Sequence, residues 1–233
     1  MHVTFDHSRP ETDNITTYFF EPEKPVDYVA GQFIELYIPH DNPDDRGIKR
    51  WFTLSSAPSD KLLSITTKHA KRSSTFKQAL AALEPGTRLK MAEPMGDFVL
   101  PRDASRPLVF IAGGIGVTPF HSMLQQLAAD KEHRQIRMLY GVPTENEIIF
   151  QDTFDAANQH VTVMVENPSP EWGGERGTIT VDEIIGLEEP SDDSLIYVSG
   201  PEPMVESLTK QLIARGFGQQ QVVSDYFPNY PTI

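Results

Sequence analysis

Three short stretches of the 233-residue chain combine residue types whose spacing suits phosphate and ring binding. The first is Gly113-Gly114-Ile115-Gly116-Val117-Thr118-Pro119, placed directly after the apolar run Leu108–Ala112. Glycines there let backbone N–H groups approach an anion closely. A helix opening behind them adds unpaired N–H groups and a dipole that favours negative charge. Thr118 suits the N-cap and Pro119 the first helical position. Any tight strand-to-helix turn uses some of the same residues, and Pro119 stands where the full dinucleotide fingerprint carries its last glycine. The second stretch, Ser199-Gly200-Pro201-Glu202-Pro203-Met204, repeats the plan of strand end, glycine and helix-opening proline. Two such turns at the carboxyl ends of parallel strands face one crevice. The third is Arg50-Trp51-Phe52-Thr53. Strand alternation sets Arg50 and Phe52 on one face, Trp51 and Thr53 on the other. An arginine beside an aromatic ring suits a phosphate next to a planar group. An ordinary barrel strand with an exposed Arg and a core Phe has the same pattern.

Two kinds of architecture must position these stretches. The first hundred residues carry short β-prone runs at Val3–His7, Ile15–Phe20, Phe33–Ile38, Arg50–Ser55, Leu62–Lys68 and Thr87–Ala92, separated by Pro, Gly, Asn and Asp. Six such runs predict a barrel or sandwich. One helix interrupts them, with Phe76, Ala79, Leu80 and Leu83 at helical spacing behind Ser73, Ser74 and Thr75. After Pro101–Pro107 the rhythm changes. Strands at Leu108–Ala112, Ile136–Tyr140, Val161–Val165 and Leu195–Ser199 alternate with helices at Thr118–Ala129, near Gln151–Asn158, at Val181–Ile185 and at Glu202–Arg215. That alternation predicts a parallel sheet. The expected fold is therefore an antiparallel β-barrel domain over 1–102, followed by a parallel-sheet α/β domain over 103–233. The polar loops 39–48 and 167–177 are long enough to be mobile.

Composition narrows the function. Zero cysteines exclude a disulfide framework, a thiolate metal site, a Cys-ligated iron–sulfur cluster and a cysteine nucleophile. The net charge of −13 argues against nucleic acid. It is unevenly placed: residues 1–102 are close to neutral, and residues 103–233 hold only 7 of the 20 basic residues. The longest apolar runs are about half the roughly 20 residues a membrane-spanning helix needs. The first six residues lack the features of a secretory signal, so a cytoplasmic location is expected.

In their order and spacing the three stretches resemble the ferredoxin–NADP reductase-like superfamily of flavin-dependent NAD(P)H oxidoreductases, across nearly the whole chain. The resemblance implies bound FAD, with NAD(P)H as the electron-donor substrate. Arg50-Trp51-Phe52-Thr53 resembles the family's R-x-Y-[ST] motif. It implies Arg50 on the flavin phosphates, Phe52 on the ring with Trp51 beside it, and Thr53 near the redox-active N5. Ala30-Gly31-Gln32-Phe33 resembles a PGQF-type strand start. Thr66-Thr67-Lys68 resembles the strand whose backbone lines the flavin. Arg72-Ser73-Ser74-Thr75 stands where a G-x-x-S phosphate segment is usual, so Ser73, Ser74 and Thr75 take that role without its glycine. Lys68, Lys71, Arg72 and Lys77 form a basic cluster suited to pyrophosphate or to an acidic partner. A solvated helix face has the same composition.

In the second half, Gly113, Gly114, Gly116, Thr118 and Pro119 resemble the cradle of the nicotinamide nucleotide pyrophosphate. Ser199-Gly200-Pro201 resembles the start of C-G-P-x-P-M, with Ser199 replacing the cysteine near hydride transfer. Ser224-Asp225-Tyr226-Phe227 resembles an E-x-F tail, which implies Asp225 near the flavin and Phe227 over its ring. Glu166-Asn167 stands where NADP-preferring relatives carry Ser-Arg. Glu166 would repel a 2′-phosphate and accept from a ribose hydroxyl, which favours NADH. Arg176 is the alternative phosphate ligand. The resemblance implies a separate electron acceptor, such as a ferredoxin, a flavodoxin, an oxygenase component or a small quinone-like or ferric compound. These residues hold no fused ferredoxin module. Two other readings stand beside it: a reductase that releases flavin as a substrate, and a non-catalytic flavin-binding subunit.

Overall fold

Twelve strands in two six-stranded sheets make up the described part of the chain, residues 1–70, 72–157, 160–187 and 193–227 of a computed structural model, the side chains of Tyr226 and Phe227 excepted. The first sheet is wholly antiparallel. Its strands are β1 (His2–Pro10), β2 (Ile15–Pro22), β3 (Phe33–Tyr37), β4 (Lys49–Thr53), β5 (Leu63–Lys68) and β6 (Arg88–Met91), in the order β4-β3-β6-β1-β2-β5. Just past β4, Leu54 bridges to Ile65 of β5, and Ser55 N donates to Ser64 O at 2.8 Å. The two ends of the sheet thus meet and curl it around one core. Alternate residues fill that core, among them Val3, Phe5, Ile34, Leu36, Phe52, Leu54 and Ile65. This is the period-2 pattern of a sheet with one buried face. Helix α1 (Thr75–Ala81) closes it with Phe76 and Leu80, and Ser74 Oγ accepts from Lys77 N at 3.3 Å as its N-cap.

The second sheet is wholly parallel, in the order β10-β9-β8-β7-β11-β12. Its strands are β7 (Leu108–Gly113), β8 (Ile136–Val142), β9 (His160–Val165), β10 (Glu175–Arg176), β11 (Leu195–Pro201) and β12 (Val222–Phe227). All six residues of β7 are buried. Phe110, Ala112, Tyr140 and Tyr197 pack on α2 (Thr118–Asp130) and α3 (Gln151–Ala157). Val109, Ile111, Ile196 and Val198 face α4 (Val181–Gly186) and α5 (Glu202–Ala214). Burial on both faces explains why these strands read as continuous apolar runs.

Two sequence expectations change here. The glycine stretch is itself a 3-10 turn, Gly114–Val117, so α2 starts at Thr118 and Val117 takes the N-cap position without a side-chain bond. Thr118 is therefore not a cap: its hydroxyl donates back to Ile115 O at 3.1 Å. The segment read as a tail at Ser224–Phe227 is part of edge strand β12, held by backbone pairing to β11.

Hydrogen bonds join the two halves. Ser122 Oγ donates to Ser56 O at 2.5 Å, Tyr197 OH to Val99 O at 2.8 Å and Arg134 Nη1 to Pro101 O at 2.8 Å. Lys68 of β5 pairs with Glu147, on the loop after β8, at 2.6 Å. His121 of α2 is buried in the same interface, stacked on Phe150 with centroids 3.6 Å apart. Burial pushes its imidazole down from 6.5 to about 3, with the charge of Arg9 adding to the effect. The unfolded chain therefore binds a proton that the native state refuses between those values, and this group's contribution makes stability fall as pH drops through that window. His121→Gln should flatten that part of the pH–stability curve in urea titrations. An unchanged slope would show that the imidazole is not held neutral.

Candidate functional site

Arg50, on edge strand β4, is the hub of the first half of the site. Its Nη2 donates to Asp44 Oδ1 at 2.6 Å, and its Nη1 to the carbonyls of Arg46, Gly47 and Lys49 at 2.7–3.0 Å. The guanidinium lies 5.2 Å from the centroid of the Phe76 ring. Nε is buried and has no partner among the described residues. Thr75, at the start of α1, reaches the same loop from the other side. Its hydroxyl accepts from Asp44 N at 3.0 Å and meets His40 Nε2 at 3.1 Å. Burial raises the Asp44 carboxyl, but Arg50 and the Arg46 N–H outweigh that and hold it below its ordinary value. The 39–48 loop, expected to be mobile, is thus tied down between Arg50 and Thr75. Neither His40 nor Asp44 carries a periodic or motif signal in the sequence, so both were missed.

The other residues of the motif separate. Thr53 is buried, with an Oγ1 that has no partner among the described residues. Phe52 belongs to the barrel core and packs 5.9 Å from Phe76. Trp51 is 60% exposed, leans on Phe33 and donates Nε1 to Glu35 at 3.0 Å. It shares a strand face with Thr53 but not its burial. Along β5, Thr66 and Thr67 are buried and Lys68 is committed to Glu147. Ser73 Oγ donates to Ala70 O, while Ser74 caps α1. Lys77 Nζ donates to Lys68 O at 2.6 Å, so two members of the basic cluster have local partners. Lys71 lies outside the described residues.

The second half is built at the carboxyl ends of β7 and β11. Gly114 takes φ +50°, a left-handed value that suits glycine, and a Cβ there would meet nothing within 4 Å. Gly113 and Gly116 are different, because the first lies against Met204 of α5 and the second against the backbone of β11. A Cβ on Gly113 would meet Met204 Sδ at 2.5 Å and one on Gly116 the Gly200 Cα at 2.6 Å. Pro119 and Thr118 are buried in the first turn of α2. Ser199 is fully buried in β11, and its Oγ also has no partner among the described residues. Ser199 pairs with Ala112 on one side and with Asp225 of β12 on the other. Two residues expected at one site thus become neighbours through sheet pairing alone. Gly200 and Pro201 pair in turn with Tyr226 and Phe227. The role expected of the Phe227 ring falls outside the described side chains.

Glu166 is exposed just after β9, and its backbone N donates to Val142 O at 2.9 Å. Arg176 is engaged locally: its Nη2 donates to the carbonyls of Ser169, Pro170 and Trp172 at 2.7–3.4 Å. The Gly114–Val117 turn packs beside β5, which brings the glycine stretch of one sheet against the Thr66–Lys68 strand of the other.

Comparison with known proteins agrees with this arrangement. Residues 110–210 match the family model described as the oxidoreductase NAD-binding domain. The chain is 25% identical to flavohemoprotein A of Dictyostelium discoideum, over 95% of this chain and 59% of that one. It is 28% identical to the 2-halobenzoate 1,2-dioxygenase electron transfer component of Burkholderia cepacia, over 93% of this chain and 63% of that one. It therefore spans about three fifths of the length of these curated relatives. The FAD/NAD-binding domain of nitric oxide dioxygenase from Vibrio cholerae shares its fold, with a TM-score of 0.82 and 23% identity over 97% of this chain and 98% of that one. An antiparallel barrel followed by a parallel sheet is thus a fold the chain shares with that domain, and within it residues 110–210 match the oxidoreductase NAD-binding domain.

Proposed function

We propose that the chain binds FAD between its two sheets, takes a hydride from NAD(P)H and passes electrons to a separate acceptor. It is an NAD(P)H-dependent flavoprotein oxidoreductase. The observation that carries this reading is that two of the three buried hydroxyls without partners among the described residues are Thr53 Oγ1 on the barrel side and Ser199 Oγ on the parallel-sheet side, the third being Thr209 Oγ1 on α5. Buried polar atoms normally find a partner, and these two stand at the positions where the resemblance calls for a flavin and a nicotinamide. In this reading residues 1–102 hold the flavin and 103–233 the dinucleotide.

When bound, FAD supplies hydride acceptance and onward release of electrons. The protein's own work is placement. Arg50 Nε and the Ser74–Thr75 helix start would take the phosphates, and Thr53 Oγ1 would be free to donate to the flavin. Thr66, Thr67 and Lys68 would line the ring, and the glycine turn around Gly114 would take the dinucleotide pyrophosphate. Thr118, Ser199 and Asp225 shape the nicotinamide end and exclude water from it. No helix among the described residues is long and apolar enough to cross a membrane. The acceptor is a protein such as a ferredoxin, a flavodoxin or an oxygenase component, and the location is cytoplasmic. The relatives named as a dioxygenase electron transfer component and a monooxygenase reductase component support the oxygenase alternative.

The test is the visible spectrum of the purified protein during anaerobic titration with NADH and then NADPH. A flavin spectrum that NADH bleaches preferentially supports the reading. A colourless protein that does not bind added FAD overturns it. A colourless protein that reduces free flavin would replace it with the flavin-as-substrate reading. Nucleotide choice can be tested separately. Replacing Glu166 by Ser and Asn167 by Arg together removes a repelling carboxylate and adds a phosphate ligand. A charge-assisted bond of about 1.5–3 kcal/mol should move the NADPH-to-NADH ratio of kcat/KM by about tenfold or more. An unmoved ratio would place the ribose elsewhere.

A further inference from the structure

A line of buried hydroxyls runs from Ser64 and Ser55 through Thr66 to Thr17, and of these the proposed function uses Thr66 alone. Ser64 Oγ lies 3.1 Å from Ser55 Oγ, Ser55 Oγ lies 2.9 Å from Thr66 Oγ1, and Thr66 Oγ1 lies 2.8 Å from Thr17 Oγ1. Thr17 Oγ1 then donates to Glu11 Oε1 at 2.6 Å. The four hydroxyl residues are buried, and the Glu11 side chain is 13% exposed. Arg9, 57% exposed, donates to the same oxygen through Nε at 3.0 Å and Nη2 at 2.8 Å.

The direction of every bond follows from the terminal group. An ionised carboxylate only accepts, and a hydroxyl carries one hydrogen. Thr17 gives its hydrogen to Glu11, so Thr66 must donate to Thr17, Ser55 to Thr66 and Ser64 to Ser55. All four hydrogens point toward Glu11. An unbroken, one-way chain that ends at a carboxylate near solvent is the arrangement that carries a proton outward.

We infer that Ser55, Thr66, Thr17 and Glu11 form the exit path for the proton left behind by hydride oxidation. This inference rests on the proposed function. A hydride brings one proton and two electrons. When both electrons leave singly to a one-electron acceptor, NAD(P)H has become NAD(P)⁺ and one proton remains at the site. Thr53 and Ser55 are two residues apart, about 7 Å along an extended strand, a gap that one or two waters bridge. The proton passes to the chain at Ser55, each hydroxyl hands on its own hydrogen, and the Glu11 carboxylate accepts the last one before releasing it to solvent beside Arg9.

The variants are Thr17→Val, which keeps the shape and removes the hydroxyl, Thr17→Ser, which restores it, and Glu11→Gln. None of these residues is among those assigned to FAD or nucleotide binding. Anaerobic bleaching by NADH should be unchanged in all three. Reoxidation by ferricyanide should slow by about tenfold or more in Thr17→Val and Glu11→Gln, within the range for a lost proton-transfer group, and should recover in Thr17→Ser. The slowed step should acquire a solvent deuterium effect. Time-resolved infrared difference spectra should show a transient carboxylic-acid band in the unaltered protein that Glu11→Gln abolishes. Normal reoxidation in both Thr17→Val and Glu11→Gln, with no such band in the unaltered protein, would overturn the path while leaving the FAD reading intact. A protein that binds no FAD would remove both. Glu11→Gln, near the surface, keeps the comparison open if Thr17→Val folds poorly.

Discussion

Gly116→Ala should destabilise the protein by about 3 kcal/mol, the upper end of the usual range for forcing atoms into a packed interior. The added Cβ would meet Ser199 O, stand 2.5 Å from Ser199 C and lie 2.6 Å from Gly200 Cα. All three are backbone atoms of β11, which is paired on both sides and has no free direction in which to yield. A chain of this size loses about 2–4 °C of Tm per kcal/mol, so thermal unfolding should begin roughly 5–15 °C lower. Gly114→Ala is the internal control. Its Cβ has open space, and only the left-handed φ opposes it, at about 1–2 kcal/mol. If the two variants were equally stable, the close approach of the glycine turn to β11 would not be what Gly116 is for. The same crowding would displace Ser199 relative to Ala112 and Asp225, so reduction by NADH should fall further than stability alone explains.

Arg50→Ala should release FAD. If its free Nε makes one charge-assisted bond to phosphate, of about 1.5–3 kcal/mol, the dissociation constant should rise by about ten- to a hundredfold. Arg50→Lys should recover part of the affinity, because a point charge remains but the planar fork is lost. The variant has a second, independent consequence. Arg50 and the Arg46 N–H, against the opposing effect of burial, keep the Asp44 carboxyl below its ordinary 3.8. A lowered carboxyl stabilises the fold above that value, and the benefit is lost as pH falls through the folded-state value. Removing Arg50 should therefore remove part of the acid-side slope of the stability curve. Equilibrium dialysis with FAD and urea titrations at low pH read the two effects separately. Unchanged FAD retention with an altered acid slope would reduce Arg50 to a loop anchor.

The barrel-then-parallel-sheet plan was legible because burial geometry writes itself into spacing. Half-buried strands alternate, as Ile34 and Leu36 do in β3. Strands covered on both faces run apolar without a break, as Leu108–Ala112 does in β7. Helix α1 was legible from Phe76 and Leu80 behind a serine cap. The three chemical stretches were visible for a related reason: glycine, proline and arginine at fixed offsets are local requirements of turns and phosphate sites.

What the sequence could not contain is who meets whom across the chain. Strand β12 was invisible because its pattern, Val222-Val223-Ser224-Asp225, is short and unremarkable. Its partner in β11 lies more than twenty residues away, and only that pairing sets Asp225 beside Ser199. Trp51 and Thr53 share a strand face by alternation, yet one is exposed and the other buried. Burial depends on what covers a face, which alternation does not encode. Arg176 and Lys68 looked like free cations in the sequence. In the fold each is taken by a neighbour, because unfilled hydrogen-bonding groups find the nearest carbonyl or carboxylate that tertiary contact supplies. The sequence by itself determined the element types, the two-sheet plan and the chemistry the turns can support. Tertiary structure decided which hydroxyls, charges and strand ends share a site, because those depend on pairings between distant segments that no local pattern records.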